Sequence, residues 1–225
     1  MNVLIACEES QRVCMEFRAM GHEASSCDIV ECSGGHPEWH IQGDVLPILN
    51  GNTSFETADG STHSIDGKWD LIIAHPPCTY LTCSGNSWFN IEKYGEKAIQ
   101  RYKDREEAIA FFLAFVNADC DHIAIENPVG VMSSRYRKPN QIVHPYWFGD
   151  PARKQTCLWL KGLPELTPTN MVEPLVIQCK SGKTDSPWHM ETLKLPAEER
   201  RRERSKTFPG LAKAMAQQWG SLKQP

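Results

Sequence analysis

The first thirty residues alternate between strand and helix patterns. Val3–Ala6 is a short apolar run of strand type, Gln11–Met20 places its apolar side chains at helical spacing, and Glu23–Ile29 is a second strand-like run. Gly21 stands where a glycine commonly ends a helix. Because a strand–helix–strand order joins parallel neighbours, this opening predicts an α/β fold with a doubly wound, mostly parallel sheet.

The rest of the chain continues this pattern with longer interruptions. Later runs predict the strands Trp69–Ala74, His122–Glu126 and Thr156–Leu160, and the helices Ala98–Val116 and Gly210–Trp219. Residues 50–68 are polar, contain glycine and lack a period, which predicts an exposed insertion. We therefore expect one core over residues 1–160, a reduced, irregular, proline-rich region over 161–206, and a C-terminal helix within 207–225.

Composition narrows the class of protein further. The chain has 225 residues, enough for one good core, and no apolar run approaches the roughly 20 residues of a membrane-spanning helix. Met1–Ala6 is followed at once by Glu8 and Glu9, which is unlike a signal or transit peptide. Nine scattered cysteines indicate free thiols in a reducing compartment. We expect a cytoplasmic protein with no membrane partner.

Polar residues follow the first two predicted strands, where parallel α/β sheets bind ligands. Ala6–Ser10 follows the first strand, Asp28 ends the second, and Gly43 and Asp44 come shortly afterwards. A carboxylate in the position of Asp28 suits the hydroxyl groups of a ribose. The other interpretation of Asp28 is a turn or helix-cap aspartate, so the pattern leaves both open.

The strand Trp69–Ala74 leads directly into His-Pro-Pro-Cys, residues 75–78. Two prolines fix two φ angles, so Cys78 is expected in a stiff loop, where it could be a positioned nucleophile. The alternative is a buried structural thiol, the usual role of a free cysteine. Glu126 and Asn127 end another apolar strand, and a carboxylate there is either costly or useful.

These motifs together resemble those of cytosine-C5 DNA methyltransferases. Residues 74–78 are similar to the catalytic Pro-Cys motif, and Glu-Asn-Pro at 126–128 resembles the Glu-Asn-Val motif. Gly-Asp-Val at 43–45 is similar to the motif that holds the cofactor's adenine, and residues 207–216 resemble the motif that returns a helix to the cofactor. The motif order agrees, and several segments are similar to small, phage-carried methyltransferase-like proteins.

The resemblance implies a class I S-adenosylmethionine (SAM)-dependent methyltransferase fold of Rossmann-like type, with SAM as cofactor. It implies duplex DNA as partner, with the target cytosine flipped out of the helix. Cys78 would attack C6, Glu126 would act as an acid near N3, and Asn127 would orient the loop or the base. The cofactor contacts implied are Ala6, Cys7, Glu8, Ser10, Asp28, Asp44, His75 and Pro76; the substrate contacts are Pro77, Trp88, Lys154 and Thr156.

The chain departs from the family pattern in three places. The glycine-rich first motif is replaced by Ala6–Gln11, which has no glycine, and Thr156 stands where a second arginine is expected beyond Lys154. Only residues 161–206 are left for target recognition. Two alternatives therefore stay open: the same fold and nucleophile acting on RNA or a free pyrimidine nucleotide, and a non-catalytic nucleic-acid-binding relative.

Two further patterns have more than one interpretation. Four metal-type side chains have a loosely zinc-like spacing: Cys27, Cys32, His36 and His40. They overlap the predicted ribose strand, and we expect no metal there. The arginines of residues 200–206 alternate with glutamates, so they form either a nucleic-acid contact or a solvated helix face in a chain of net charge −4.

Overall fold

The computed structural model describes residues 1–179, 182 and 184–221. Its strands are β1 (Asn2–Ala6), β2 (Glu23–Asp28), β3 (His40–Gln42), β4 (Thr53–Glu56), β5 (Thr62–Ile65), β6 (Leu71–Ala74), β7 (Ile123–Asn127), β8 (Gln141–Val143), β9 (Thr156–Lys161), β10 (Ile177–Gln178) and β11 (Thr184–Asp185). Its α-helices are α1 (Arg12–Ala19), α2 (Ile91–Tyr94), α3 (Glu96–Val116), α4 (Met132–Arg135), α5 (Pro187–Leu193), α6 (Ala197–Ser205) and α7 (Pro209–Trp219). The strands and helices predicted from apolar spacing are confirmed, with small shifts at their ends.

Seven strands form the central sheet in the order β3-β2-β1-β6-β7-β9-β8. From β3 to β7 all neighbours are parallel, and β9 runs antiparallel to both β7 and β8. The protein is therefore a mixed α/β protein with a mostly parallel sheet, compatible with a Rossmann-like fold, as predicted. The strand order reverses between β1 and β6, so the loops that follow these two strands open a crevice at the carboxyl edge.

Side chains alternate between two buried layers along the central strands. Leu4 and Ile72 point into a layer that also holds Phe112 of α3, whereas Ile5 and Ile73 point into a layer shared with α1 and α7. The two-residue period of a strand produces this alternation, and helices on both faces explain why the strands are uniformly apolar. Among the described residues, no helix is both long and apolar enough to cross a membrane.

The segment at residues 50–68 is more ordered than its composition suggests. Strands β4 and β5 pair as an antiparallel hairpin, so the exposed insertion expected at these residues has regular structure. Phe55 and Ile65 are buried and join the core cluster that contains Trp69, while most of the hairpin's other side chains are exposed. One buried apolar side chain per strand is too few to produce a period that sequence reading can detect.

The region at residues 161–206 also contains regular structure, contrary to its predicted irregularity. It includes a pair of two-residue strands and the helices α5 and α6. Residues 207–216, which resemble the motif that returns a helix to the cofactor, begin beside the start of α1. There Arg12 Nη1 donates to the carbonyl of Thr207 at 2.8 Å. Residues 180, 181 and 183 of the first region, and 222–225 of the C-terminal one, lie outside the described residues.

Burial predicts which side chains of α3 stabilise the fold. Phe112 is fully buried and meets Trp159 edge to face, whereas Ile99 on the same helix is 46% exposed. We expect Phe112→Ala to lower the free energy of unfolding by about 3–5 kcal/mol, because a large buried side chain leaves a cavity. Ile99→Ala is the matched control and should change it by less than about 0.5 kcal/mol in urea denaturation. Equal effects would contradict the layer assignment.

Candidate active site

The turn after β6 is fixed by contacts from a neighbouring strand. The side-chain amide of Asn127 donates to the carbonyl of Pro76 at 2.7 Å, and both residues are buried. Beyond the prolines, the amides of Leu81 and Thr82 both donate to the carbonyl of Cys78 at 3.0 Å. Cys78 is half-buried at the corner of this turn. The structure therefore places Cys78 in a stiff loop at the carboxyl end of β6, as the sequence predicts.

Two arginines of α3 hold the loop that follows Cys78. Arg101 Nη2 donates to the carbonyl of Thr79 at 3.0 Å, and Arg105 Nε donates to that of Tyr80 at 2.9 Å. The Arg105 guanidinium also lies 3.4 Å from the ring centroid of Phe89, a cation–π contact. Sequence reasoning missed both residues, although their spacing of four positions puts them on one face of a helix.

The charges around Cys78 favour its neutral thiol. Burial raises the pKa of Cys78, and the nearby carboxylate of Glu126 raises it further, while Lys154 opposes both. A thiol in this position keeps its proton near neutral pH. It becomes a nucleophile only when its charge balance changes, either by a gain of positive charge or by loss of the negative charge on Glu126.

The charge of Glu126 is set by two cationic or donor groups. Its side chain is 12% exposed, and its Oε2 lies 3.1 Å from Nδ1 of His75, which donates to it. Burial raises the pKa of Glu126, but Lys154 and the hydrogen bond from His75 outweigh burial and lower that pKa below its ordinary value. In the resting site the thiol of Cys78 therefore keeps its proton, and Glu126 is ionised.

Three buried polar atoms at the strand ends have no hydrogen-bond partner among the described residues. They are Oε1 of Glu9, Nε2 of His75 and Oδ1 of Asn127. Buried polar atoms are nearly always paired, so orphaned ones mark a place where a ligand or water completes the set. All three belong to loops or ends of the adjacent strands β1, β6 and β7, which locates the candidate site at the switch point of the sheet.

The loop after β1 achieves a tight path without glycine. Cys7 and Gln11 have φ angles of 59° and 58°, in the left-handed region that glycine usually occupies. The carboxylate of Glu8 accepts from the amides of Val13 at 2.7 Å and Cys14 at 3.2 Å, so it caps the start of α1. Glu8 was expected to contact a cofactor, yet these α1 amides already engage its carboxylate.

Glu9 is the site residue that the motif comparison overlooked. Its side chain is buried, and its nearest cation is Arg202, at 3.8 Å between Oε1 and Nε, which is too long for a hydrogen bond. A carboxylate with an unpaired oxygen at the end of β1 is suited to an ammonium group of a ligand. Ser10 beside it is buried, and Ala6 is fully buried, so Ala6 can offer only backbone atoms.

The acids after β2 and β3 lie near one another and near the β1 loop. The amide of Gly43 donates to the carbonyl of Asp28 at 2.9 Å, and the amide of Glu8 donates to the carbonyl of Cys27 at 3.2 Å, so the three segments lie side by side. Asp28 also accepts from the amide of Val30 at 3.2 Å, so its turn role is present as well. Asp44 is exposed and accepts from the amide of Leu46 at 3.0 Å. The predicted adenosine-side residues are therefore brought together.

The predicted substrate contacts divide into two groups. Lys154 faces Cys78 and Glu126, and Pro77 is exposed beside a cleft of about 560 Å³. Trp88 is 54% exposed and packs on Tyr94, with ring centroids 5.0 Å apart. Thr156, in contrast, is only 2% exposed at the first position of β9. Its side chain contributes to the sheet rather than to an open surface.

The zinc-like spacing does not form a metal cluster in the described part of the chain. His40 is fully buried, with Nδ1 2.9 Å from Ser26 Oγ and Nε2 2.9 Å from the carbonyl of Val30. His36 stacks on Trp39 with ring centroids 3.8 Å apart. Both imidazoles therefore have structural contacts that a metal ion would have to replace.

Glu8 makes the stability of the protein depend on pH. Burial raises its pKa from 4.5 to about 7, so the folded state holds a proton that the unfolded state releases. Stability should therefore fall by about 3 kcal/mol as the pH rises from about 4.5 to about 7. Glu8→Gln should remove this slope in urea denaturation at several pH values, whereas Glu16→Gln on α1 should keep it. A slope that survives in Glu8→Gln would contradict the assignment.

The carboxyl edge of the sheet gathers most of the residues predicted to act together. They are Cys78, Glu126, Asn127, His75, Lys154 and Glu8. Comparison with protein-family models finds no match, and comparison with curated proteins finds no significant match.

Proposed function

We propose that this chain is a cytosine-C5 DNA methyltransferase that uses SAM and belongs to the class I methyltransferase fold. One observation carries the proposal. Cys78 stands in a fixed turn at the carboxyl end of β6, with the charges of Glu126 and Lys154 beside it and Asn127 holding the turn. Methylation at C5 needs a nucleophile for C6 and an acid near N3, and Cys78 and Glu126 can take these roles once Cys78 loses its proton and Glu126 gains one.

The opposite pKa shifts of Cys78 and Glu126 indicate what activation requires. Cys78 has to lose its proton and Glu126 has to gain one; Lys154 then stabilises the thiolate, and the new carboxylic acid can donate to cytosine N3. The Cys78 thiolate then adds to C6, and the electron pair released within the ring makes C5 nucleophilic. Stabilisation of N3 by Glu126 lowers the energy of this adduct. A base, for which water is suitable, removes the C5 proton before Cys78 leaves.

The residues present fit SAM at both ends of the crevice. Asp28 and Asp44 offer carboxylate oxygens to the adenosine end, and the unpaired Oε1 of Glu9 suits the ammonium group of the methionine end. When bound, SAM supplies the methyl group that C5 accepts. Glu9, rather than Glu8, is assigned to the methionine end, because the carboxylate of Glu8 is committed to α1.

A second substrate class remains an alternative because so little chain follows β9. Reading base edges in the DNA grooves needs several side chains at defined positions. In the described part of residues 161–206, the only regular structure beyond the sheet is two short helices and a two-stranded ribbon. The same nucleophile could therefore act on a free pyrimidine nucleotide or on RNA. A labelled-methyl assay on duplex DNA, single strands, RNA and dCMP separates these substrates.

Covalent trapping tests the role of Cys78. Fluorine at C5 cannot be eliminated in the last step, so DNA with 5-fluorocytosine should remain attached to Cys78 in the presence of SAM. The adduct should survive denaturation and map to Cys78 by mass spectrometry. Cys78→Ser should abolish methyl transfer, whereas Cys83→Ser, in the exposed part of the same loop, should retain it. Turnover by Cys78→Ser, or an adduct on Cys83, would refute the mechanism.

Calorimetry with SAM tests the cofactor assignment. Asp44→Ala should weaken SAM binding by about 1–3 kcal/mol, because a donor of the adenine loses its carboxylate partner. Asp66→Ala is the matched control, since Asp66 is an exposed aspartate next to the β4–β5 hairpin. Equal affinity for the Asp44→Ala variant and the wild-type protein would remove Asp44 from the cofactor site.

A further inference from the structure

Helix α6 lies across the loops that form the candidate site. Lys154 Nζ donates to the carbonyl of Arg204 at 3.2 Å, so the end of α6 contacts the residue that faces Cys78. Arg202 lies 3.8 Å from Glu9, in the loop after β1. Arg201 borders the 560 Å³ cleft together with Pro77 and Tyr80. One helix therefore reaches all three elements of the site.

The arginines of α6 have different structural roles. Arg204 is anchored to α5, because its Nε donates to Thr192 Oγ1 at 2.8 Å, and Arg200 donates to the carbonyl of Leu193 at 3.2 Å. Arg201 is exposed, and within the described residues it has no hydrogen bond or ion pair. The side chain of Arg202 is 60% exposed, and its one ion pair with a described residue is the long contact to Glu9. Two guanidinium groups therefore remain available at the mouth of the site.

The acidic side chains of α6 reduce this positive charge only in part. Glu203 is paired with Lys206, so that charge is already balanced within the helix. Glu198 and Glu199 lie in the first turn, where negative charge interacts favourably with the helix dipole. No residue of α6 is buried, so its outer face is solvent-accessible along the whole helix.

The other basic stretch of the chain is used differently. Arg135 makes a bidentate pair with Glu106, with distances of 2.7 and 2.6 Å. Arg137 donates to the carbonyl of Leu160 at 3.0 Å, near the amino end of β7 and therefore at the sheet edge opposite Cys78. Lys138 is exposed beside it. Of the two basic stretches, only α6 combines available arginines with a position at the site.

We propose that Arg201 and Arg202 of α6 bind the sugar–phosphate backbone of DNA and hold the target strand at the mouth of the Cys78 site. This inference rests on the proposed function, which supplies DNA as the substrate. Guanidinium groups bind phosphates through paired N–H donors, and each phosphate contact releases counterions from the DNA. Backbone contacts position a duplex without reading its sequence, which suits a chain with so little structure for base recognition.

DNA binding measured without SAM tests this role. A short labelled duplex is titrated with the full chain by fluorescence anisotropy, at salt concentrations from about 50 to about 200 mM. The double variant Arg201→Ala/Arg202→Ala should raise Kd about tenfold or more and lower the salt slope by about 1–2. Lys138→Ala is the matched control and should leave both unchanged. The variant Arg201→Lys/Arg202→Lys keeps both charges and should restore most of the salt slope. This result would show that the alanine variant loses binding through lost charge and not through misfolding.

The outcomes distinguish this inference from the proposed function. If the double alanine variant binds DNA as tightly as Lys138→Ala, with the same salt slope, the α6 assignment is wrong even where Cys78 is trapped by 5-fluorocytosine DNA. If binding depends on Arg201 and Arg202 but no trapping occurs, α6 is supported and the methyltransferase proposal fails. Tighter, arginine-dependent binding to RNA of the same sequence would overturn DNA as the partner.

Discussion

The hydrogen bond from the Asn127 amide to the carbonyl of Pro76 ties together the carboxyl ends of β7 and β6. Parallel pairing brings these ends side by side, but pairing alone does not determine where the next turn goes. Pro76 and Pro77 have no amide hydrogen to donate, so they cannot fix the turn through backbone N–H groups of their own. The side chain of Asn127 instead fixes the carbonyl of Pro76. With the turn fixed, Cys78 lies within the influence of the Glu126 charge, and the proposed chemistry depends on that proximity.

Burial at this edge determines which atom holds each proton. The same low-polarity surroundings that disfavour a thiolate also strengthen the influence of Lys154 and His75 on Glu126. Under the proposed function, a cytosine that enters the site would displace water and change this balance at both groups. The edge of the sheet therefore sets the charges and the polarity around Cys78 as well as its position.

The elements predicted correctly are those whose sequence pattern allows few alternative structures. The uniformly apolar strands were predicted because strands buried on both faces have this pattern. The Pro-Pro-Cys turn was predicted because proline restricts the backbone. Helix α5 and the bounds of α6 were not predicted; a helix was one interpretation of the α6 arginines, but α6 is almost entirely charged and has no apolar period. Glu8 was predicted to contact the cofactor from its position in the motif after the first strand. Its hydrogen bonds to the α1 amides depend on the path of the backbone, which the sequence does not show.

Gln11 carries a further consequence of the glycine-free loop. Its side chain bonds both the amide and the carbonyl of His36, and a Cβ on Gly34 would lie 2.6 Å from the Gln11 Cβ. The loop is thus held by a specific side chain against a specific glycine, rather than by the freedom of glycines within it. A side chain at position 34 would therefore collide with Gln11, and the loop could keep its path only if both positions changed.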